Sequence, residues 1–170
     1  MTTNRDAAFW IDRLKLIKHP EGGYFREIYR SGERIPGEAL PERFSGSRPF
    51  CTSIYFLITG EDFSRFHRLQ ADEIWHLYAG SSLTIYAINP QGILSQILLG
   101  EDIEAGEVFQ AVVPAGSWFA ARPNDPGGYS LVGCTVAPGF EYGDFELGNR
   151  EALIRQFPQH SRLIEELTRE

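Results

Sequence analysis

Residues 50–88 read FCTSIYFLITGEDFSRFHRLQADEIWHLYAGSSLTIYAI, and this stretch decides the fold class. It holds four short runs rich in β-branched and aromatic residues, and Gly60 and Gly80 stand at two of the breaks between them. The runs cover residues 50–58, 63–69, 73–78 and 82–88. Short runs of this composition, with turn residues between them and no helical spacing, are typical of antiparallel β-strands.

The same pattern continues as far as residue 137. Four further β-like runs occupy residues 93–99, 107–113, 117–122 and 129–137. Glycine- and proline-containing turn segments separate them. Eight short strands without intervening helices predict an all-β sandwich, barrel or jelly roll.

The two ends of the chain have helical character instead. Apolar residues recur at helical spacing in AAFWIDRLKLIK, residues 7–18, which predicts one amphipathic helix. Residues 149–170 are also helical in pattern, with Asn149 as the expected N-cap and Pro158 dividing the stretch into two short helices. Residues 31–49 are polar and rich in Gly and Pro, so they predict a long loop.

Composition limits the class of protein. The chain has 170 residues, and we expect one domain over residues 1–170. Its net charge of −7 argues against nucleic acid or an anionic membrane surface as a partner, because either requires a basic surface. The N-terminus lacks the apolar segment of a signal peptide, and no apolar run approaches the ~20 residues of a membrane span. Cys51 and Cys134 both lie in β-like runs and are interpreted as free buried thiols, so a cytoplasmic location is expected.

Two segments resemble the paired motifs of the cupin superfamily. Gly60, His67, Glu73 and Gly80 are spaced as in the first cupin motif, and GEVFQAVVPAGSWF, residues 106–119, resembles the second. Phe119 stands where the second motif has a histidine, since it follows Pro-Ala-Gly by three residues. Four longer signatures resemble one cupin family known as a domain of unknown function: HPEGGYFREIYRS, DEIWHLYAG, PAGSWFAAR and VGCTVAPGFEYGDFELG.

This resemblance covers nearly the whole chain and implies a double-stranded β-helix, the cupin jelly roll. It also implies a homodimer and a small-molecule pocket inside the barrel. It implies no particular reaction, because the family itself is largely uncharacterised. A pocket of this kind is an enclosed, mostly apolar cavity with a few polar groups.

The predicted catalytic residues are His67, Glu73 and His76. Strand alternation puts Arg65 on the same face as His67, so both are expected to point into the pocket. Glu73 opens the next strand and is expected beside His67, where a carboxylate can tune the basicity of the imidazole. Alternation puts His76 on the opposite face from Glu73 unless a bulge intervenes. The alternative is that His67 and Glu73 only satisfy each other's hydrogen bonds in a polar core.

A bound metal is not expected. Full cupin metal sites use three histidines and a glutamate, and the resemblance leaves this chain with His67 and Glu73 only. Leu69 stands where a His-x-His pair would have its second histidine, and Phe119 replaces the histidine of the second motif. Should a metal bind, His67 and Glu73 are its expected ligands.

EGGYFREIYR, residues 21–30, resembles the N-terminal strand of the dTDP-sugar 3,5-epimerases, which are metal-free cupins that bind a nucleotide through this strand. Gly23, Tyr24, Phe25 and Glu27 match that pattern. The arginine that precedes the glycine in those enzymes is absent, so diphosphate binding would need Arg26 in its place. The alternative is an ordinary strand that pairs with a partner subunit.

Several aromatic residues complete the set of predicted ligand contacts. Tyr86, Trp118 and Phe119 are expected as pocket walls, because aromatic faces stack on ring-bearing ligands, although each can equally be plain core. Phe140 lies on a segment after the last predicted strand that is either a lid over the pocket or a simple connection. His19 and His160 lie at segment ends and are assigned structural or solvent roles.

Two functions follow from these residues. The first is a metal-independent isomerase or epimerase acting on a small polar metabolite such as a sugar or nucleotide derivative, with His67 as the base and Glu73 orienting it. The second is a sensor or carrier that binds a small molecule without chemistry. An epimerase requires a second proton donor on the other side of the ligand, and its presence would separate the two.

Overall fold

Two antiparallel sheets face each other in the structure, a computed structural model that describes residues 5–169. The larger sheet contains, in spatial order, β1 (Ile17–Lys18), β2 (Tyr24–Arg30), β5 (Thr52–Thr59), β12 (Tyr129–Ala137), β7 (Asp72–Gly80) and β10 (Gln110–Val113). The smaller contains β13 (Glu146–Leu147), β6 (Ser64–Arg68), β11 (Trp118–Pro123), β8 (Leu83–Ile88) and β9 (Leu94–Leu99). Each of the eight predicted β-like runs overlaps one of these strands, so the all-β fold class is confirmed.

The main hydrophobic core fills the space between the two sheets. Phe56 and Trp75 enter it from the larger sheet, and Ile85 and Phe119 from the smaller. The side chains alternate along each strand, as the pleat requires. One face of each strand is therefore buried in this core, and the site described below occupies one part of the same space.

Two helices cover the outer face of the smaller sheet. They are α2 (Arg150–Gln156) and α3 (Ser161–Glu166), separated at Pro158 by one turn of 3-10 helix as the sequence predicts. The side chain of Asn149 accepts a hydrogen bond from the backbone N–H of Ala152, which confirms it as the N-cap of α2. The helices bury a second cluster against this sheet, formed by Phe66, Ile88, Trp118, Ala120, Leu153, Phe157, Ile164 and Leu167.

The N-terminal helix α1 (Ala7–Leu14) is shorter than the predicted 7–18. Lys15 ends it in a left-handed conformation with φ of 55°, and the next residues pair with β2 as the short edge strand β1. The helix packs on the outer face of the larger sheet, where Leu16, Leu57 and Leu131 are buried. The predicted helix was thus wrong over its last turn, because strand pairing competes there with helical periodicity.

The predicted loop 31–49 contains short elements of its own. β3 (Arg34–Ile35) pairs with β4 (Arg48–Pro49), and Gly37–Ala39 forms a turn of 3-10 helix between them. This segment brings Arg48 into a buried position beside the site. Within residues 5–169, no helix has the length and apolar character needed to cross a membrane.

Candidate functional site

A cavity of about 80 Å³ lies between the two sheets. Its inner end is polar and is formed by the buried side chains of His19, Glu21, His67 and Glu73. Its outer end is lined by the more exposed side chains of Glu27, Arg30 and Tyr142. The walls between the two ends are mainly apolar and include Phe25, Ile54, Phe56, Leu69, Val136, Phe140 and Phe145.

His67 and Glu21 form the central contact of the inner end. Nε2 of His67 lies 3.1 Å from Oε2 of Glu21, and Nδ1 of His67 lies 2.8 Å from the backbone oxygen of Arg65. A carbonyl oxygen only accepts hydrogen bonds, so the Nδ1 atom carries a proton, and in the neutral ring Nε2 is the acceptor. Glu21 therefore donates to His67 as a carboxylic acid.

The pKa values of the two groups support this neutral pairing. Burial lowers the pKa of His67 to about 3. Burial, followed by the nearby charge of Glu73, raises the pKa of Glu21 well above its usual value. Both shifts favour the uncharged forms, because charges are costly to hold in a dry interior.

Glu21 also contacts Ser64 and His19. The Ser64 hydroxyl donates to Oε1 of Glu21 at 2.8 Å, and the Glu21 backbone N–H donates to Nδ1 of His19 at 3.2 Å. Burial lowers the pKa of His19 to about 4, so its ring is neutral at physiological pH. The ring packs edge-on against Phe25, with 4.6 Å between centroids. The two histidines and Glu21 thus form one connected polar group.

The turn before β2 delivers His19 and Glu21 to the cavity. Gly22 has φ of +117°, and a Cβ atom there would lie 2.1 Å from the backbone oxygen of Phe63. Only glycine permits this backbone conformation and this close approach. The next N–H, that of Gly23, donates to Asp62 at 3.0 Å and fixes the turn against the start of β6.

Glu73 occupies the opposite part of the inner end, on β7. Its Oε2 atom accepts a hydrogen bond from the indole N–H of Trp75 at 2.9 Å, which alternation permits because both side chains point inward. Burial raises the pKa of Glu73 to about 7, and the Trp75 hydrogen bond offsets part of the effect. Glu73 is therefore near the midpoint of its titration at neutral pH.

The structure brings five of the predicted site residues to the cavity lining: Phe25, Glu27, His67, Glu73 and Phe140. His67 and Glu73 both line the inner end, but their hydrogen bonds go to Glu21 and Trp75. The predicted direct pairing of His67 with Glu73 is replaced by the pairing with Glu21. Sequence reasoning missed Glu21 and gave His19 a structural or solvent role, although both residues belong to the HPEGGYF signature.

Arg65 does not point into the cavity as predicted. Its guanidinium group donates to the backbone oxygen of Pro20 at 2.6 Å. The reason is a β-bulge: on β6 the residues opposite Phe119 and Ala121 of β11 are His67 and Ser64, which are three positions apart instead of two. Ser64 and His67 therefore both face the inner end, which simple alternation does not allow.

Three predicted residues of the smaller sheet lie outside the lining. Tyr86 and Trp118 face the other way and pack under the C-terminal helices, which corrects their expected position as cavity walls. Phe119 does point inward, but it lies behind His67, with 4.0 Å between the ring centroids. It supports the imidazole from behind and does not line the cavity.

Three residues of the larger sheet also lie outside the lining. Tyr24 packs with the α1 cluster, and Arg26 is exposed and donates to the backbone oxygen of Leu14. His76 points away from the cavity, opposite Gly133 of β12. Alternation explains all three, because their neighbours Phe25, Glu27 and Trp75 point inward.

A buried ion pair holds the segment that covers the cavity. Arg48 donates to both carboxylate oxygens of Asp144, each at 2.6 Å, and both side chains are almost fully buried. In the sequence, Asp144 lies between Phe140 and Phe145, and the rings of these two phenylalanines form part of the cavity wall. The two-point contact fixes the segment 140–145 against the loop that carries Arg48.

No group of three or more His, Cys, Asp or Glu side chains is arranged to hold a metal ion in the part of the chain from residue 5 to residue 169. In the cluster of His19, Glu21 and His67, Oε2 of Glu21 lies 3.5 Å from Nδ1 of His19 and 3.1 Å from Nε2 of His67, so these three atoms face one another.

Comparison with known proteins identifies the family. Residues 8–148 match the model of Cupin_5, described as cupin superfamily (DUF985). The chain belongs to this cupin family. It is also 33% identical over 144 residues to the uncharacterized protein YML079W of Saccharomyces cerevisiae, covering 79% of this chain and 71% of the yeast protein.

Solved structures agree with the cupin fold. The crystal structure of protein SO0799 from Shewanella oneidensis has 44% sequence identity and a TM-score of 0.87, covering 96% of this chain and 98% of the other. A hypothetical protein from Leishmania major has 37% identity and a TM-score of 0.87, covering 97% and 99%. Oxalate decarboxylase from Bacillus subtilis, at 14% identity and a TM-score of 0.54 over 88% of this chain and 36% of its own, shares the fold alone.

Proposed function

We propose that this cupin binds a small polar metabolite in the cavity and moves a proton on it, as an isomerase or epimerase of a sugar- or nucleotide-like compound. The observation that carries the proposal is the position of Glu73, a buried carboxyl group in an enclosed cavity whose pKa is raised to about 7 by burial. A general base is most effective when its pKa lies near the working pH. Enzymes commonly achieve this by burying a carboxyl group.

Glu73 is the proposed base, in place of His67. Nε2 of His67 already accepts from Glu21, and its pKa is lowered to about 3 by burial, so it is a weak base. Oε1 of Glu73 has no hydrogen-bond partner within residues 5–169 and is left for a ligand. The Glu21–His67 pair would orient the ligand through neutral hydrogen bonds.

An epimerase also needs a group that returns a proton from the other side. Tyr142 lines the cavity and can fill this role, whereas Cys134 lies on β12 beside β7, in the same wall as Glu73. Burial raises the pKa of the Cys134 thiol well above its usual value, so it keeps its proton. Tyr142 lies at the outer end, where it is half exposed.

A second candidate function is binding without chemistry, as a sensor or carrier. The size of the cavity favours it: about 80 Å³ corresponds to several water molecules, so only the head group of a metabolite enters the inner end. The rest of a larger ligand would extend past Glu27 and Arg30. Simple recognition requires no proton donor on the far side.

The free thiols of Cys51 and Cys134 support the proposal of a reducing, cytoplasmic location. A homodimer is proposed on the family resemblance and on the exposed apolar residues of β2.

The test is a thermal-shift screen against a metabolite panel, followed by incubation of each hit in D₂O. An isomerase removes a proton from a carbon next to a carbonyl, passes it through Glu73 to solvent and returns a deuteron, so the C–H signal of the hit disappears. Glu73→Gln should abolish this exchange, whereas Glu101→Gln, on an exposed turn, should leave it unchanged. Binding without exchange would select the second candidate, and a panel without any hit in the cavity would overturn both.

A further inference from the structure

The polar inner end of the cavity is left incomplete by the protein. Glu73 is 7% exposed, and its Oε2 atom takes the Trp75 N–H, whereas its Oε1 atom has no partner among residues 5–169. The His19 side chain is also 7% exposed; its Nδ1 accepts from the Glu21 backbone N–H, so its Nε2 carries the ring proton, and this donor has no partner in the same range. Both atoms are accessible from the cavity, so Oε1 of Glu73 can accept a hydrogen bond from a ligand, and the His19 Nε2–H can donate to a ligand acceptor or to water.

The charges around the inner end indicate the sign of that ligand. Arg30 lines the outer end, where Glu27 and Glu141 already pair with it. The guanidinium of Arg65 donates to the Pro20 backbone, outside the lining, and its charge acts on Glu21. Among the described residues, therefore, no basic side chain compensates Glu73. An anionic ligand would be repelled by the ionised Glu73, whereas a cationic ligand would provide the positive counter-charge that the protein does not place beside Glu73.

The walls favour the same sign. The rings of Phe25, Phe56, Phe140 and Phe145 line the same cavity as the two carboxyl groups. Aromatic faces attract cations, and the attraction increases when the cation is removed from water. Carboxyl groups enclosed by aromatic rings are an arrangement that recognises organic ammonium groups.

We propose that the inner end of the cavity binds a small organic cation, an alkylammonium or amidinium head group, with Glu73 as its counter-ion and the phenylalanine rings around it. The inference rests on the proposed function, because it names the class of ligand for that same cavity. The raised pKa of Glu73 agrees with it, since burial without a neighbouring cation is its main cause. A bound cation would hold Glu73 ionised by lowering its pKa, so Glu73 acts as the counter-ion of this head group.

The experiment compares three ligands of equal length by NMR titration at pH 8: butylamine, butan-1-ol and butyrate. At this pH Glu73 is mostly ionised, because its pKa is about 7, and an alkylamine is still protonated, with a pKa of about 10.4 for lysine. The methyl signals of Ile54, Leu69 and Val136 report on the cavity. We expect butylamine to bind at least about tenfold more tightly than butan-1-ol, and butyrate to give no saturable shift.

Glu73→Gln keeps the shape of the side chain and the acceptor for Trp75 while removing the charge. It should weaken butylamine binding about tenfold or more and leave butan-1-ol within about twofold. Glu101→Gln is the matched control and should change neither. Equal or tighter binding of butan-1-ol or butyrate would overturn the inference while leaving the proposed function intact, because the cavity would still bind a ligand. Unchanged butylamine affinity in Glu73→Gln, or no saturable binding of the three compounds, would overturn it as well, and the metabolite screen would then decide the proposed function separately.

Discussion

Oε2 of Glu21 lies 3.1 Å from Nε2 of His67, and this contact joins the turn before β2 to the middle of β6. The backbone oxygen of Arg65 fixes the tautomer of the imidazole from its other side. Glu21 is consequently a proton donor in a place where a carboxylate would be expected. The pair is a neutral hydrogen bond and not an ion pair.

Replacement of Glu21 distinguishes a neutral pair from a charged one. Glu21→Gln should cost less than about 1 kcal/mol of the free energy of unfolding, because an amide can donate to His67 and accept from Ser64. Glu21→Ala should cost about 1–3 kcal/mol, because both partners are left unsatisfied. Urea denaturation measures both values. A loss of about 3–5 kcal/mol in Glu21→Gln would instead indicate a buried ion pair, and would contradict the neutral assignment.

Glu73 should make the protein less stable as the pH rises through its titration range. Its pKa is about 7 in the folded chain and 4.5 in the reference state, so between these values the folded chain holds one proton more than the unfolded chain. The free energy of unfolding therefore falls between pH 4.5 and pH 7, by on the order of 3 kcal/mol, and this contribution is constant above pH 7.

Glu73→Gln removes this titrating group, so the pH dependence of its free energy of unfolding is the reference for the wild type. His19 and His67 have lowered pKa values, so they act in the opposite direction and make the free energy of unfolding rise with pH below 6.5. Both histidines and Glu21, whose pKa is also raised, are present in both proteins, so their effects cancel in the difference except for the part of the Glu21 shift that the charge of Glu73 causes. Urea denaturation across the pH range should show the wild-type value falling relative to the variant; a difference independent of pH would show that Glu73 titrates normally.

The Arg48–Asp144 pair should be important for stability because it is buried. Arg48→Met leaves Asp144 without its cation and should cost about 3–5 kcal/mol, whereas the double variant Arg48→Met, Asp144→Leu should recover most of the loss. The exposed pair Arg155–Glu151 is the control, and Arg155→Met should cost less than about 1 kcal/mol. These values come from urea denaturation. A double variant as unstable as Arg48→Met alone would mean that the loss is one of packing and not of charge.

Purified and dialysed protein should contain far less than one equivalent of transition metal per chain. Phe119 occupies the position of a cupin metal ligand and packs on His67, and Nε2 of His67 faces Glu21. Elemental analysis by plasma mass spectrometry gives the metal content directly. Stoichiometric zinc, iron, manganese or nickel after dialysis would refute the expectation, because side chains outside the two cupin motifs would then have to bind the metal.

The N-terminal strand should mediate a homodimer. Ile28 is 48% exposed and Tyr29 54% exposed on β2, next to the short edge strand β1. Exposed apolar side chains near a sheet edge are typical of an interface. Light scattering should give a dimer at micromolar concentration, and Ile28→Glu with Tyr29→Glu should give a monomer. Ile103→Glu, in an exposed turn, is the control. A monomeric wild type, or a dimer that survives the double substitution, would contradict the prediction.

The fold could be predicted because turns and strand alternation are local properties of the sequence. Glycine and proline mark the ends of most strands, and alternation correctly gives the opposite directions of Glu73 and His76. The site was predicted only in part. A β-bulge turns Arg65 out of the cavity and Ser64 into it, and alternation carries no sign of such a bulge. Glu21 contacts His67 because the turn that carries it folds against β6. The periodic pattern of residues within one strand cannot predict such a contact between distant parts of the sequence.

The hydrogen bond between Trp75 and Glu73 gives the protein a natural optical reporter. An indole whose N–H contacts a titrating carboxyl group changes its emission when that carboxyl group gains or loses a proton. The chain has three tryptophans, and the other two, Trp10 and Trp118, lie on the outer faces of the sheets. With these two replaced by phenylalanine, the fluorescence of Trp75 alone would follow both the ionisation of Glu73 and the filling of the cavity, without any attached dye.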